Sequence, residues 1–477
     1  MRTARGESPA RPMTRPRRRH VVASIVVALV AAACSSTAPS SPPVGSGSPS
    51  SVAAGSPSAI PSAAATIPQP SVTGIDVADP SQRVDLAMPV FSNPTQITNP
   101  LFPVESGSSN LYVGTVNDGA FRTEVTVLPT TRIVDWAGQR VETVVSQYNA
   151  FVDGRIVEIA YDLYAQADDG SVWYFGEDVF DFADGVIVDT HGTWHAGIDG
   201  PAAMIMPANP QVGDVYRTEN IPGLVFEEVT VRSVDQTLDG PFGPVAGGIV
   251  VEEHHADGST EEKQFAPGYG EFYTAADQEV EALAEAVPTD SASGAAPTSL
   301  DDLQAAASDA IQAALDGDMQ AVTRLAADAD AARTALGNEV PARLQPLLND
   351  AIDAMATAAD SNREAAATNA AILVARLGGD VRLRYAPVAE VDLARVGLWG
   401  AQLVVDARAE SNNDILADNF ALSYVRDRLI AGLAPEDLTQ LDIALEDLQT
   451  AIDDGDFSAM ADSGETLRQF AAESAIQ

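Results

Sequence analysis

Phe121-Arg122-Thr123-Glu124-Val125-Thr126-Val127-Leu128 carries the reading of the fold. Apolar and polar residues alternate along part of it, as they do where successive side chains leave a strand on opposite faces. After Arg155, the run Ile156-Val157-Glu158-Ile159-Ala160-Tyr161-Asp162-Leu163-Tyr164 alternates in the same way. Asp-Gly recurs at 118, 153, 169, 184, 199, 239 and 257. Those residue types tolerate the positive φ that tight hairpins impose. Repeated hairpins from Asn110 to Tyr273 therefore predict an antiparallel β meander over roughly 80–288, curled into a sandwich or an open barrel.

Past a short Ser/Ala/Gly/Pro linker at 289–298 the period changes. Leu438, Leu441, Leu445, Leu448 and Ile452 follow the 3,4,3,4 spacing of one helix face, and Phe457, Met460, Gly464 and Leu467 repeat it. Ser299 ahead of Leu300-Asp301-Asp302 reads as a capped helix start. Residues 299–477 are expected to form an all-α bundle of about six helices. The fold class is thus α+β in two domains, a β meander followed by a helical bundle.

The N-terminus has a different logic. Arg17-Arg18-Arg19-His20 precedes an apolar run from Val21 to Ala33, and Cys34 follows. A basic patch, a short apolar stretch and small residues before a cleavage point describe a secretory signal peptide, here 1–33. The run is shorter than the roughly 20 residues of a spanning helix. Ala31-Ala32-Ala33-Cys34 resembles the lipobox of bacterial lipoproteins, which implies lipidation of Cys34. From Cys34 to residue 79 the chain is rich in Ser, Pro, Gly and Ala, a composition expected to form a disordered tether. The implied location is the extracytoplasmic face of a cell membrane, held by N-terminal lipid.

Composition excludes much chemistry. With 68 acidic against 27 basic residues the net charge is −41, which disfavours nucleic acid and anionic headgroups as partners. Cys34 is the only cysteine, so disulfides, thiol catalysis and cysteine–zinc sites are unavailable to the folded part. Lys263 is the only lysine and sits in no P-loop; no HExxH, GxSxG or SxxK motif occurs. No cofactor is expected.

Trp173 and Tyr174, in an aromatic cluster, either pack a core or wall a cavity for a small apolar ligand between the curved sheet and its loops. Asp392, Arg395, Trp399 and Gln402 form, with Asp406, a polar stripe on an otherwise apolar helix. That stripe reads as a solvent face, or as a polar seam or ligand-facing wall. His254 and His255 are adjacent, so on a strand only one faces inward; with Glu252, and with Glu253 and Asp257 nearby, they offer a weak divalent-cation site. Finally, Asp454, Asp456, Ser458, Asp462 and Glu465 fall at calcium-loop positions 1, 3, 5, 9 and 12, but position 6 is Ala459 where the turn requires Gly. The simpler reading is a helical hairpin, because Ala314-Leu315-Asp316-Gly317-Asp318-Met319 resembles Ala451-Ile452-Asp453-Asp454-Gly455-Asp456-Phe457. In each copy Gly closes one helix and Asp caps the next. A carboxylate pair from Glu177 and Glu252 is the one hydrolase arrangement the sequence offers.

Tyr164 to Asp178, with Met206-Pro207-Ala208-Asn209-Pro210 and Ala266-Pro267-Gly268-Tyr269-Gly270, resembles a domain of uncharacterised secreted bacterial lipoproteins of actinobacterial type. The likeness spans the lipobox and roughly 90–288 and implies export and a β fold without an assigned activity. The functional expectation is a membrane-anchored, non-enzymatic ligand-binding or interaction module, with divalent-cation binding as the alternative and a carboxylate hydrolase ranked last.

Overall fold

A computed structural model describes residues 66–477 apart from 73, 75, 76 and 277. The expected signal peptide, Cys34 and the tether up to residue 65 lie outside the described residues. Fourteen strands come first: β1 (Ser109–Val116), β2 (Gly119–Trp136), β3 (Gln139–Val152), β4 (Arg155–Gln166), β5 (Val172–Ala183), β6 (Val186–Asp189), β7 (Trp194–His195), β8 (Ala203–Met206), β9 (Val215–Ile221), β10 (Val225–Gly240), β11 (Gly243–His255), β12 (Thr260–Ala266), β13 (Gly270–Ala276) and β14 (Glu279–Val287). Eight helices follow: α1 (Thr298–Leu315), α2 (Met319–Leu336), α3 (Leu344–Asp360), α4 (Glu364–Arg382), α5 (Val388–Arg408), α6 (Asn412–Arg428), α7 (Pro435–Asp454) and α8 (Phe457–Glu473). The class is α+β, an antiparallel sheet and then a helical region, with eight helices where about six were expected. No described helix is long and apolar enough to cross a membrane.

The strands make one antiparallel sheet in the order β6-β5-β4-β3-β2-β1-β14-β13-β12-β11-β10-β9, with β7 and β8 both on β5. Two meanders are thus joined where the first strand pairs with the last, from Ser109↔Val287 to Val116↔Glu279. The sheet curls until its ends meet: Trp194 of β7, paired with β5, donates Nε1–H to Glu219 of β9 at 3.0 Å. That closure makes an open barrel with an interior.

Local chemistry explains the hairpins. Asp153-Gly154 and Asp184-Gly185 have positive φ at both positions, as a two-residue turn matched to strand twist requires. The first hairpin is displaced by one residue, with Asn117 and Asp118 in the turn and Gly119 opening β2. Ala137-Gly138 supplies a further turn that no Asp-Gly signal marks.

The outer face of β1 to β5 and β14 is covered by the helices. Leu111 and Ala284 share an apolar core with α1 to α5, and Phe151, Ile159 and Phe182 share another with α5 to α8. Helices α5 and α8 approach closely, the carbonyl oxygen of Gly464 standing where a Cβ on Gly400 would come within 2.6 Å. The capping repeat is as read: Asp318 accepts from Ala321 N–H, and Asp456 accepts from Ser458 and Ala459 N–H after the left-handed Gly455. Ser299 is not a cap; α1 opens on Thr298 behind Pro297, with no side-chain cap.

Two connecting segments are held against the sheet. The segment expected to be tether up to 79 is already docked at Ile67, which is buried and donates N–H to Leu86 O at 3.0 Å. The linker at 289–298 is pinned by Asp290, whose carboxylate accepts from Tyr269 Oη–H and Ala286 N–H at 2.8 Å each.

Candidate functional site

Inside the curled sheet lies a cavity of about 1470 Å³. Its wall draws residues from β1–β5 and β9–β14, and the N-terminal turn of α6 forms part of its rim. Fourteen carboxylates line it against two cationic side chains, Arg155 and Lys263. Arg155 is committed at the rim to Asp406 and Asp418, each at 2.8 Å, and to Asp414 at 3.3 Å. The interior is therefore acidic with one embedded ammonium group.

Two devices aim the acids inward. Along β4, Glu158 and Asp162 point into the cavity while Ile159 and Tyr161 point to the helices, where Tyr161 Oη donates to Asp427 at 2.8 Å. Along β5 the phase is reset by a bulge opposite Asp162–Tyr164. Gly176 sits at φ +120, where a Cβ would come 2.1 Å from Trp194 O, so the bulge requires glycine. The reset lets both Tyr174 and Glu177 face the interior.

The carboxylates fall into three sets. In the first, Tyr174 Oη donates to Asp162 at 2.8 Å, and the Glu177 and Glu219 carboxyls are close enough to perturb each other. Burial, then the neighbouring Asp162 charge, pushes Glu177 up to about 8, and burial raises Asp162 to about 7. Burial and the charges of Glu227 and Glu177 drive Glu219 far above the usual range.

The second set surrounds Lys263, whose Nζ lies 3.1 Å from Glu253 and 3.7 Å from Glu261. Burial disfavours this ammonium, but the carboxylates around it, Glu253 foremost, hold it charged. Thr218 Oγ1 bridges Glu227 at 3.0 Å and Glu253 at 3.2 Å. His255 lies 3.6 Å from Glu227 and 3.5 Å from Glu261; against its burial, these two carboxylates raise it to about 10. The third set is Glu158 and Glu281, each raised by burial and by neighbouring acids to about 8. Glu281 is 7 % exposed, and its Oε1 has no hydrogen-bond partner. Thr123 Oγ1 is likewise buried without a hydrogen-bond partner among the described residues.

The residues singled out from sequence disperse. Trp173 belongs to the core, 6.3 Å from Trp136, with Nε1 donating to Ser171; Tyr174 belongs to the cavity wall. Among the described residues, Glu227, Glu253 and His255 are the grouping whose donor atoms lie close enough together to share a metal ion. Of the residues expected there, His255 and the neighbouring Glu253 belong to it, whereas Glu252, His254 and Asp257 do not. Glu252 and His254 pair with each other at 2.7 Å, and Arg232 binds Glu252 as well. Glu177 and Glu252 do not form a pair, since Glu252 takes no part in the cavity wall. Of the calcium-loop series, Asp456 is spent on capping α8 and Glu465 on Arg468 at 2.7 Å. Asp454 ends α7, and Ser458 lies in the first turn of α8.

Asp392, Arg395, Trp399 and Gln402 are all buried, so the stripe is a seam and not a solvent face. Arg395 binds Asp392 at 2.8 Å and Asp380 at 3.2 Å. Asp380 also takes Arg122 of β2 at 2.8 Å, while Arg428 reaches Glu124 of β2 at 2.8 Å. Trp399 stacks on Phe151 of β3 at 5.9 Å, and Gln402 donates to Asp406 at 3.1 Å. This charged layer joins helices to sheet; the cavity lies on the sheet's other face.

Sequence reasoning missed the interior acids because glutamates alternating with apolar residues ordinarily mark solvent. The available signal was the single lysine, Lys263, set among Glu252, Glu253, Glu261, Glu262 and Glu271. No known family matches the chain, and no curated protein matches it significantly. Function must therefore be read from the cavity itself.

Proposed function

We propose that this protein is a membrane-anchored, extracytoplasmic binding protein that holds a ligand inside its curled sheet and performs no catalysis on it. One observation carries the reading: a cavity of about 1470 Å³ opens inside the sheet and is lined by titratable and aromatic side chains. Small-molecule sites are concave, few and largely pre-formed, and this cavity has those properties. The anchor rests on the basic patch, the apolar run and the lipobox-like Ala31-Ala32-Ala33-Cys34. The wall's acidity argues against the small apolar ligand that the aromatic cluster first suggested.

Val179 lines the cavity on β5, so an indole in its place would take up part of the cavity's volume. A small cationic fluorescent dye should bind the full chain saturably, and Val179→Trp should abolish the signal with unchanged circular dichroism. Equal dye binding by that variant would place the ligand elsewhere. For the anchor, Cys34→Ala should move the protein from the detergent phase to the aqueous phase of a partition; retention in the detergent phase would overturn it.

A second reading has its own observation. Glu227, Glu253 and His255 place donor atoms within 4.8 Å of one another, a nitrogen and oxygen set suited to a transition-metal ion. Here His255 would have to lose the proton that Glu227 and Glu261 stabilise. That proton, and the ammonium of Lys263, rank this reading second.

A further inference from the structure

The geometry points to a ligand class: we infer that the cavity binds a linear alkyl polyamine, its ammonium groups taken by the inward carboxylates. The inference rests on the cavity being the binding site. Two independent observations carry it beyond an accumulation of acid.

The first is Lys263. Its side chain is a primary ammonium on an alkyl stem, and within the cavity wall it is held by Glu253 at 3.1 Å and Glu261 at 3.7 Å. The wall therefore already contains a worked arrangement for an alkylammonium group. Yet Lys263 serves only one of the three carboxylate sets. Asp162, Glu177 and Glu219 form a second, and Glu158 with Glu281 a third, neither in a salt bridge with a cation among the described residues. Arg155, the other cation of the lining, is consumed by Asp406, Asp414 and Asp418.

The second observation is Glu281. Its side chain lines the cavity, and its buried Oε1 has no hydrogen-bond partner among the described residues. Buried polar atoms are ordinarily satisfied, and one that is not, on a side chain lining a cavity, marks where a donor belongs. A polyamine supplies donors at intervals along an apolar stem. Tyr148, Tyr164, Tyr174 and Tyr216 offer that stem aromatic surface and its cations ring faces. A compact divalent ion could satisfy one set but not three separated ones.

Protonation then follows from binding. Without a cation, crowded acids keep protons, and burial and mutual repulsion place Glu158, Glu177 and Glu281 at about 8. An ammonium group favours their charged forms, so each such contact expels a proton. Affinity should rise with pH between about 6 and 8, before the amines themselves deprotonate near 10.

Spermidine is the probe. Titrated calorimetrically into the full chain at pH 7, in two buffers of different ionisation enthalpy, it should bind one to one with net proton release. Glu281→Gln and Glu177→Gln should each weaken binding roughly tenfold, as loss of one charge-assisted hydrogen bond does, and reduce the protons released. Failure of spermidine to displace a dye that Val179→Trp excludes would overturn the polyamine inference while leaving the cavity as the site. Binding of zinc in place of spermidine, lost in His255→Ala, would overturn it in favour of a metal. Dye and spermidine both unaffected by Val179→Trp would remove the cavity reading itself.

Discussion

Glu281 shows how a single cavity residue links the fold's stability to pH. Its pKa is raised by burial and by Glu271 from the ordinary 4.5 to about 8. For a group whose folded-state value lies above its unfolded one, the contribution to stability is fully present below about 4.5. It is lost as pH climbs through about 8. Glu158 and Glu177 are raised to similar values and act with the same sign. The melting temperature should therefore fall between pH 5 and pH 8.5. Glu281→Gln, which keeps the shape and removes the ionisation, should be less sensitive over that interval than the parent. Thermal melts at the two pH values check this; an unaltered slope would mean that Glu281 ionises freely in the folded protein. At this same scale, the surface pair Arg333–Asp330 should matter little: Asp330 is 57 % exposed, and Arg333→Ala should cost under about 1 kcal/mol in urea unfolding.

At the scale of elements, the strands were legible and their faces were not. Alternation along Phe121–Leu128 and Ile156–Tyr164 located β2 and β4, because side chains two apart share a face whatever that face meets. What each face meets depends on partners far along the chain. On β2 the charged Arg122 and Glu124 meet α4 and α6 through Asp380 and Arg428, whereas on β4 the charged Glu158 and Asp162 meet the cavity. No local pattern distinguishes the two. Bulges erase phase altogether, as at Gly176, where Tyr174 and Glu177 come to one side. Gly176→Ala tests that element: left-handed strain and the 2.1 Å approach to Trp194 O should cost about 2–5 kcal/mol in chemical unfolding. Dye or spermidine binding should be lost with it. Capping was legible for the opposite reason, since Gly455 and Asp456 act on their immediate neighbours. Asp456→Ala should cost about 1 kcal/mol by the same measurement and leave the cavity's binding unchanged.

Over the whole molecule, the charged layer between sheet and helices decides whether the two regions behave as one. Asp380 is fully buried and receives Arg122 from the sheet and Arg395 from α5. Glu124 receives Arg428 at 2.8 Å and Arg395 at 3.5 Å, so each region leaves its charges to be neutralised by the other. Apolar residues reinforce this, with Leu111 and Ala284 inside one helical core and Phe151, Ile159 and Phe182 inside the other. Removing one partner from a buried network leaves the remaining charges uncompensated, which typically costs about 3–5 kcal/mol. Asp380→Ala should thus destabilise by that amount, and it should lower the melting of sheet and helices equally. Far-ultraviolet circular dichroism at a strand-weighted and a helix-weighted wavelength should give one coincident transition in the parent and one, at lower temperature, in the variant. A helical transition that moved while the sheet's stayed fixed would show two independent domains joined by a linker. A shared transition has a functional corollary. Arg155 ties the cavity rim to Asp406, Asp414 and Asp418 of α5 and α6, so loosening the helices should also loosen the mouth of the cavity. Asp380→Ala should then speed dye release before it abolishes binding, measurable by stopped-flow displacement at a temperature where the variant is still folded.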